Sequence, residues 1–193
     1  MPVWRNLRTG GASGTPPPVI RRVTEDERGL FPQEAGVRVG IGHDTHRMVE
    51  GRPLVLGGVR IPFERGPVGH SDADVVLHAL ADALLGAAAL GDIGELFPDT
   101  DPRYKGLDSA VIARDAHERV RQAGWRPVNL DVVIHAQAPK LAAHKQAIRD
   151  RIAELFELDR SAVSVKAKTG EEVGPIGRGE AISCVAVALL EES

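Results

Sequence analysis

The chain has 193 residues, of which 42% are hydrophobic and 26% are charged, and its formal net charge is −3. This length is sufficient for one domain with a substantial core. The small net charge gives no reason to expect a nucleic-acid partner or an anionic membrane surface. The sequence contains no run of 18 uncharged apolar residues that would predict a membrane span. The only cysteine, Cys184, cannot form an internal disulfide, so we expect a cytoplasmic protein.

The first 36 residues differ in composition from the remainder. They contain the segment GGASGTPPP, five arginines and four acidic residues, with little periodicity. Such a segment cannot bury enough apolar surface to offset the entropy lost on ordering it. We therefore expect a disordered N-terminal tail over residues 1–36 and one folded domain over residues 37–193.

The first half of the predicted domain contains a strand, a hairpin and a long helix. Alternating apolar residues predict a strand over 37–42, which runs directly into the polar residues HDTH. Residues 53–62 read as two short strands joined by Gly57-Gly58. A helix of about 19 residues is predicted between Ser71 and Gly91.

The second half alternates between helices and strands. Helices are predicted over 109–123 and 140–157, and strands over 128–137, 162–168 and 181–190. This alternation predicts an α+β fold, an α/β sandwich with helices on one side of a mixed sheet. The last strand is apolar on both faces, so the other face of the sheet must also be covered. Association with further subunits is one way to cover it.

A candidate metal site comes from two separate segments. In an extended chain the side chains of Asp44 and His46 lie on the same face. His78 lies in the predicted long helix, where a histidine by itself is more often structural. Two imidazoles and one carboxylate form a ligand set suited to zinc, and three protein ligands leave a fourth position open for substrate.

Four further clusters carry polar or turn-forming residues. Ser71 and Asp74 have the spacing of a helix-capping box, and a helix N-terminus also attracts phosphate oxygens. Residues 91–102 read either as a solvated loop or as part of a site. Residues 135–141 form a strand-to-helix junction of the kind that often holds a nucleotide. Residues 166–181 are either a flexible polar loop or a loop that binds phosphate or metal.

Taken in order, these motifs resemble the 2-C-methyl-D-erythritol 2,4-cyclodiphosphate synthase family. The resemblance extends from Arg38 to Leu190 and rests on DTHR, LGGVRIP, HSDADVVLHALADALLGAAALGDIGELFPDTDP, AQAPKL and GRGEAI. It implies a homotrimer whose sheets face a central axis, with active sites at the subunit interfaces. The implied reaction converts 4-diphosphocytidyl-2-C-methyl-D-erythritol 2-phosphate to the 2,4-cyclodiphosphate and releases CMP, without a covalent intermediate.

The resemblance also implies roles for individual residues. Asp44, His46 and His78 match the ligands of one zinc ion per subunit. Glu171 matches the one protein ligand of a Mg²⁺ or Mn²⁺ ion that bridges the substrate diphosphate. His70 and Thr169 match the residues that stabilise the transition state. The residues that match substrate contacts are Asp44, Thr45, His46, His70, Ser71, Asp92, Ile93, Gly94, Phe97, Pro98, Asp99, Thr100, Asp101, Ala136, Gln137, Ala138, Pro139, Lys140, Leu141, Ala142, Lys168, Thr169, Gly170, Glu171, Pro175 and Arg178.

Two other functions use some of the same features. A zinc-dependent phosphohydrolase would hold its metal with the same three ligands but would activate a metal-bound water. It would need a general base beside that water, and Asp92 is the best candidate in the motifs. A non-catalytic trimeric binding protein would not need both a transition-metal site and a separate magnesium carboxylate.

Overall fold

The computed structural model describes residues 36–98 and 100–193, so the predicted tail lies outside the described residues except for Gly36. The strands are β1 (Val37–Glu50), β2 (Leu54–Leu56), β3 (Val59–Ile61), β4 (Arg65–Pro67), β5 (Trp125–His135), β6 (Val163–Lys168) and β7 (Ala181–Glu192). The helices are α1 (Val75–Ala88), α2 (Ile93–Leu96), α3 (Ser109–Gln122), α4 (Lys145–Leu155) and α5 (Gly174–Gly177), with 3₁₀ turns at Pro102–Tyr104 and Arg160–Ala162.

Five strands form one mixed sheet in the order β4-β1-β7-β5-β6. The β5–β6 pair is parallel, whereas the other three pairs are antiparallel. Strands β2 and β3 form a separate hairpin, in which Gly57 and Gly58 have φ values of +60° and +73°. Positive φ at both central positions is what a type I′ turn, one of the two favoured two-residue hairpin turns, requires. The predicted α+β fold, mixed sheet and hairpin are therefore confirmed.

One face of the sheet packs against the helices. Alternate residues of β7, from Ile182 to Leu190, are buried, as are Leu130, Val132 and Ile134 of β5. Along β1 the opposite alternation points away from the helices, and the side chains of Val39 and Ile41 are 69% and 71% exposed. In the described part of a single chain, this apolar face of the sheet is open to solvent.

Strand β1 is longer than the sequence predicted. It continues through the polar residues to Glu50, and Asp44 and His46 pair with Cys184 and Ile182 of β7. The extended conformation expected for Asp44 and His46 is confirmed, and the strand continues beyond the predicted residues 37–42 because backbone pairing with β7 does not depend on side-chain polarity. The two candidate ligands therefore lie on a strand whose backbone is held by its neighbour.

Helix α1 is shorter than predicted and has a different N-cap. It spans 14 residues, and its N-cap is Asp74 rather than Ser71. The Asp74 side chain accepts hydrogen bonds from the backbone N–H groups of Val76 and Leu77, so the helix cannot begin earlier. The Ser71 hydroxyl instead accepts the N–H of Ala73 within a turn. The predicted capping box is therefore wrong.

Asp74 also joins the helix to the β2–β3 hairpin. Its carboxylate accepts the backbone N–H groups of Gly57 and Gly58 at 2.9 and 2.6 Å. The side chain is fully buried, and burial raises its pKa to about 6 although these N–H groups lower it. One carboxylate thus fixes the hairpin turn against the start of α1.

Helix α4 begins five residues later than predicted. Its first residue is Lys145, and the N–H groups of His144 and Lys145 both bond to the carbonyl of Leu141. These bonds close a separate turn before the helix, with the Leu141 side chain buried. Residues 140–144 are consequently free to line a cavity rather than continue a helix.

Candidate metal and substrate site

Close packing between α1 and β1 brings the three candidate ligands together. A Cβ atom added at Gly42 would lie 2.0 Å from the carbonyl oxygen of Ala79, and one at Gly40 would lie 2.0 Å from that of Ala83. Only glycine in the strand permits this approach. Because His78 immediately precedes Ala79 in α1, the same contact places its ring beside β1.

The three side chains converge on one point. The Asp44 carboxylate oxygen Oδ2 lies 2.8 Å from His78 Nδ1 and 3.1 Å from His46 Nε2. The two histidine nitrogens are 3.4 Å apart. All three ligand atoms lie within 4.8 Å of one another. The sequence-predicted cluster is therefore assembled by the fold.

The charges within the cluster favour an ionised carboxylate. Although burial raises the pKa of Asp44, hydrogen bonds from His46 and His78 outweigh it and hold that pKa well below its usual range. Burial lowers the pKa of His78, but the hydrogen bond and charge of Asp44 raise it above its ordinary value. An ionised carboxylate between two imidazoles is a donor set that a divalent cation can bind.

The residues fit zinc in number and type. Two nitrogen donors and one oxygen donor leave a fourth tetrahedral position open, which is the arrangement of sites that act on substrates. Asp74 and Asp82, one turn of α1 away on either side of His78, do not belong to the cluster. Asp74 holds the hairpin, and Asp82 accepts the N–H of Ile93 at 2.9 Å.

The cluster lies on the wall of a cavity of about 670 Å³. This cavity also contains several of the residues that matched substrate contacts, namely His70, Ser71, Ile93, Gly94, Phe97, Pro98 and Thr100. Three lining residues were not predicted from the sequence: Gly69, Tyr104 and Ile112. The residues before α1 and the 91–102 segment thus meet beside the metal ligands.

One side-chain contact and two backbone hydrogen bonds hold the 101–107 segment against the residues that precede α1. His70 Nε2 lies 3.2 Å from the carbonyl oxygen of Asp101. The N–H of Gly106 bonds to the carbonyl of His70 at 2.7 Å, and that of Asp72 bonds to Leu107. Tyr104 packs edge-on against Phe97, which explains its place in the cavity wall. Hydrophobic periodicity could not predict this contact, because Phe97 and Tyr104 lie in different segments outside the strands and the longer helices.

Asp92 and Thr45 are not among the residues that line this cavity. Asp92 is the N-cap of α2 and accepts the N–H of Glu95 at 3.0 Å. Thr45 follows Asp44 in the strand, so its side chain lies on the opposite, open face of the sheet. There its hydroxyl lies 3.2 Å from His43 Nε2. Asp99 lies outside the described residues.

A second cavity, of about 180 Å³, has no lining residue in common with the first. Its sequence-predicted members are Ala136, Gln137, Pro139, Lys140, Leu141, Ala142, Lys168 and Thr169. Lys145 and Ala167 were not predicted from the sequence. Ala138 lines a third cavity, of about 290 Å³, together with Arg178. In the described part of the chain, the predicted substrate-contact residues are therefore distributed over three cavities.

The loop between β6 and β7 holds Glu171 in an uncommon backbone conformation. Glu171 and Glu172 have φ values of +48° and +62°, and Thr169 Oγ1 contacts the Glu171 carboxylate. A Cβ at Gly170 would lie 2.4 Å from the backbone nitrogen of Gly177, so the loop closes tightly on itself. Consecutive non-glycine residues at positive φ are costly and are found preferentially at functional sites.

The end of this loop is fixed by α5 and an ion pair. Pro175 stands in the first turn of α5, where its missing N–H costs nothing. The Arg178 guanidinium makes two bonds of 2.9 Å to Glu180. Pro175 is not among the lining residues of the cavities described above.

The fold and the site together define a class of protein. The chain is an α+β protein in which three side chains that could hold a metal ion lie on the wall of a large cavity, and none of its described helices is long and apolar enough to cross a membrane. The model of the YgbB family matches residues 37–191. The chain therefore belongs to the YgbB family.

Named relatives agree with this assignment. The chain is 58% identical to "2-C-methyl-D-erythritol 2,4-cyclodiphosphate synthase" of Chromobacterium violaceum over 156 residues, which cover 81% of this chain and 99% of the relative. It is similar to a bifunctional IspDF from Campylobacter jejuni at 42% identity and a TM-score of 0.80, over 83% of this chain and 43% of that one. A structure described as a CDP complex of IspF from Plasmodium falciparum gives 34% identity and a TM-score of 0.73, over 82% and 98%. The resemblance predicted from the motifs is confirmed.

Proposed function

We propose that the chain is a phosphorus–oxygen lyase of non-mevalonate isoprenoid biosynthesis. It converts 4-diphosphocytidyl-2-C-methyl-D-erythritol 2-phosphate to 2-C-methyl-D-erythritol 2,4-cyclodiphosphate and releases CMP. The observation that carries the proposal is the Asp44–His46–His78 cluster on a cavity wall in a chain of the YgbB family. The name of the Chromobacterium violaceum relative and the CDP complex of the Plasmodium falciparum structure support this substrate class.

The reaction closes a ring within one molecule. An oxygen of the 2-phosphate forms a bond to the β-phosphorus, and the bond from that phosphorus to the bridging oxygen breaks, so that CMP leaves with the electron pair. Nucleophile and electrophile are already joined, so the protein mainly folds the substrate into attack geometry and offsets its charge. No side chain has to act as a nucleophile.

His70 and Ser71 are the side chains proposed to receive the 2-phosphate. Both line the cavity that contains the metal ligands. The Ser71 hydroxyl accepts the N–H of Ala73, which leaves its own hydrogen available for a phosphate oxygen. His70 is held by its contact with the carbonyl of Asp101. The 91–102 segment, which includes Asp92, is proposed to bind the methylerythritol hydroxyls.

We propose two metal ions, each with its own protein ligands. Asp44, His46 and His78 would hold zinc, which supplies Lewis-acid polarisation of a phosphate oxygen when bound. Glu171 would hold Mg²⁺ or Mn²⁺ with the help of the substrate diphosphate, since magnesium keeps most of its waters and binds few protein ligands. Thr169, which contacts Glu171, is proposed to stabilise the transition state together with His70.

The proposed active form is a homotrimer with sites between subunits. Strands β1 and β6 are three strand spacings apart in the sheet, roughly 14 Å at the usual strand separation. Two of the three metal ligands, Asp44 and His46, lie on β1, whereas Thr169 and the small cavity adjoin β6. A complete site would therefore combine the metal cavity of one copy with residues 136–142 of another, whose backbone would hold cytosine. The exposed apolar face around Val39 and Ile41 supports burial against further copies.

The proposed catalytic domain is residues 37–193, with residues 1–36 as a disordered tail. The relative from Chromobacterium violaceum is matched over 99% of its length by 81% of this chain, and the family model begins at residue 37. We further propose that the enzyme acts in the cytoplasm on a small-molecule substrate, without a nucleic-acid or membrane partner.

One experiment tests the reaction. The protein is incubated with the substrate and Mg²⁺, and the products are identified by mass spectrometry. CMP together with the cyclic diphosphate is the expected result. A zinc-dependent phosphohydrolase would instead give linear phosphates, and its best candidate base, Asp92, is already bonded to the N–H of Glu95. Linear products, or no turnover, would overturn the proposed function.

A further inference from the structure

The second ring nitrogen of His78 has hydrogen-bond partners that the reaction proposed above does not use. His78 Nε2 lies 2.8 Å from the hydroxyl oxygen of Ser109. Ser109 is the first residue of α3 and is fully buried, and the His78 side chain is nearly so. A histidine on one helix is therefore tied, away from water, to the start of another helix.

Ser109 is in turn bound to a carboxylate. Its hydroxyl contacts Asp72 Oδ1, and its backbone N–H donates to the same oxygen at 3.3 Å. The N–H of Asp74 also donates to Asp72 Oδ1, at 3.3 Å, which orients the carboxylate. The result is a continuous chain of contacts from His78 through Ser109 to Asp72.

The number of available hydrogens fixes the donor and the acceptor in each of these hydrogen bonds. A serine hydroxyl has one hydrogen, and an ionised carboxylate can only accept, so the Ser109 hydrogen points to Asp72. Ser109 then faces His78 with its lone pairs, and His78 Nε2 must carry the ring hydrogen. The lone pair of the neutral ring is left on Nδ1, which is the atom that faces Asp44 and His46.

We propose that Ser109 and Asp72 are positioning residues for the metal site. They hold the His78 ring in the Nε2–H form and aim Nδ1 at the cation. Partners of this kind fix the tautomer and orientation of a ligating histidine and raise its basicity. This inference rests on the proposed metal site, and it assigns a role to two residues that the sequence motifs left without one.

Ser71 is a competing partner of His78, but a weaker one. Its hydroxyl lies 3.1 Å from Nε2, farther than that of Ser109, and it already accepts the N–H of Ala73. Within the described residues its hydroxyl contacts His78, Ser109 and Ala73 but no carboxylate that would fix the direction of its hydrogen. Ser109 therefore determines the ring form, and Ser71 remains available to the substrate.

The test measures zinc affinity rather than turnover. Purified metal-free variants compete for zinc with a chromogenic chelator, and circular dichroism confirms that each is folded. Ser109→Ala is expected to weaken zinc binding about 10-fold or more, and Ser109→Thr, which keeps the hydroxyl, is expected to recover most of it. Combining Ser109→Ala with Asp72→Ala should weaken zinc binding little more than the stronger single substitution does, because both residues act on His78 through the same series of hydrogen bonds.

Ser161→Ala is the matched control. Ser161 bonds through both its hydroxyl and its backbone N–H to Asp159 Oδ1, as Ser109 does to Asp72, but it lies in the Arg160–Ala162 turn. The zinc affinity of the Ser161→Ala variant should equal that of the unmodified protein. In the zinc-bound protein the Nε2–H resonance of the His78 ring gives a second readout, with slow exchange against solvent expected in the unmodified protein and faster exchange in Ser109→Ala.

Two outcomes overturn the inference in distinguishable ways. If the unmodified protein does not bind zinc, the proposed metal site fails and this inference fails with it. If the unmodified protein binds zinc and Ser109→Ala binds it equally well, the positioning role is wrong while the proposed function stands.

Discussion

The backbone of Gly42 touches the carbonyl of Ala79, with only 2.0 Å between that oxygen and the position a Cβ would take. This contact is where α1 crosses β1, and it sets the distance between His78 and the ligands on the strand. Gly42→Ala is therefore expected to lower the free energy of unfolding by about 3 kcal/mol, because backbone must move to admit the methyl group. It should also reduce zinc content.

Gly86→Ala provides the matched control. Gly86 lies in α1 itself, and an added Cβ would meet nothing within 4 Å. The higher helix propensity of alanine should raise the stability by up to about 1 kcal/mol. Urea unfolding and zinc analysis of both variants make the measurement. Equal effects from the two substitutions would contradict the close-contact explanation.

The two proposed metals are expected to respond differently to substitution. His78→Ala removes one of three protein ligands, so the purified protein should lose its zinc. Glu171→Gln should retain zinc but cyclise much more slowly, and raised Mg²⁺ should recover part of the rate, since substrate phosphates hold most of that ion. Zinc analysis and CMP release on both variants test this division. Zinc loss in Glu171→Gln, or an unchanged rate, would contradict it.

The proposed trimer predicts a mass of about three times 20.6 kDa by light scattering. Val39→Lys places a charge on the exposed apolar face of the sheet, so it should shift the protein toward smaller species. Val111→Lys is the control, because Val111 is also an exposed valine, at 44%, but lies on α3. A stable, active monomer of the unmodified protein would refute the trimer.

Deletion of residues 1–36 is expected to leave the rate of CMP release and the melting temperature nearly unchanged. The physical reason is the absence of a core-forming pattern from that segment. Activity assays and thermal melts of the full and shortened chains measure the effect. A large loss of either property would show that the segment contributes to the folded enzyme.

His117 gives a pH dependence of stability. It packs edge-on against Phe156, and burial lowers its pKa, with a further lowering by Arg121, although Glu157 and Glu118 raise it. The unfolded chain therefore binds a proton at higher pH than the folded chain does. Stability should fall as the pH drops below about 6.5, the ordinary histidine value.

The substitution His117→Gln should remove this contribution. As the pH is lowered from 7 to 5, the unmodified protein is expected to lose more unfolding free energy than the variant does. Urea unfolding at several pH values measures it. A difference between the two proteins that stays constant over this range would show that His117 keeps its ordinary pKa in the folded chain.

The sequence by itself was sufficient for features that depend on near neighbours in the chain. Alternation in β1 placed Asp44 and His46 on one face, and Gly57-Gly58 identified a hairpin turn because few residues tolerate positive φ at two successive positions. Apolar periodicity located α3 to within one residue of its observed end. The order of the motifs along the chain was also sufficient to identify the family, and the match of the family model to residues 37–191 confirmed it.

Other features were decided only by contacts between distant segments. The end of β1 depends on pairing with β7, and the start of α1 depends on Asp74, whose carboxylate also binds two N–H groups of a hairpin that lies 16 and 17 residues away. Ser109 reaches His78 across 31 positions of sequence. A serine or aspartate has the same local pattern whether it faces water or a buried imidazole, so only the packed structure distinguishes the two.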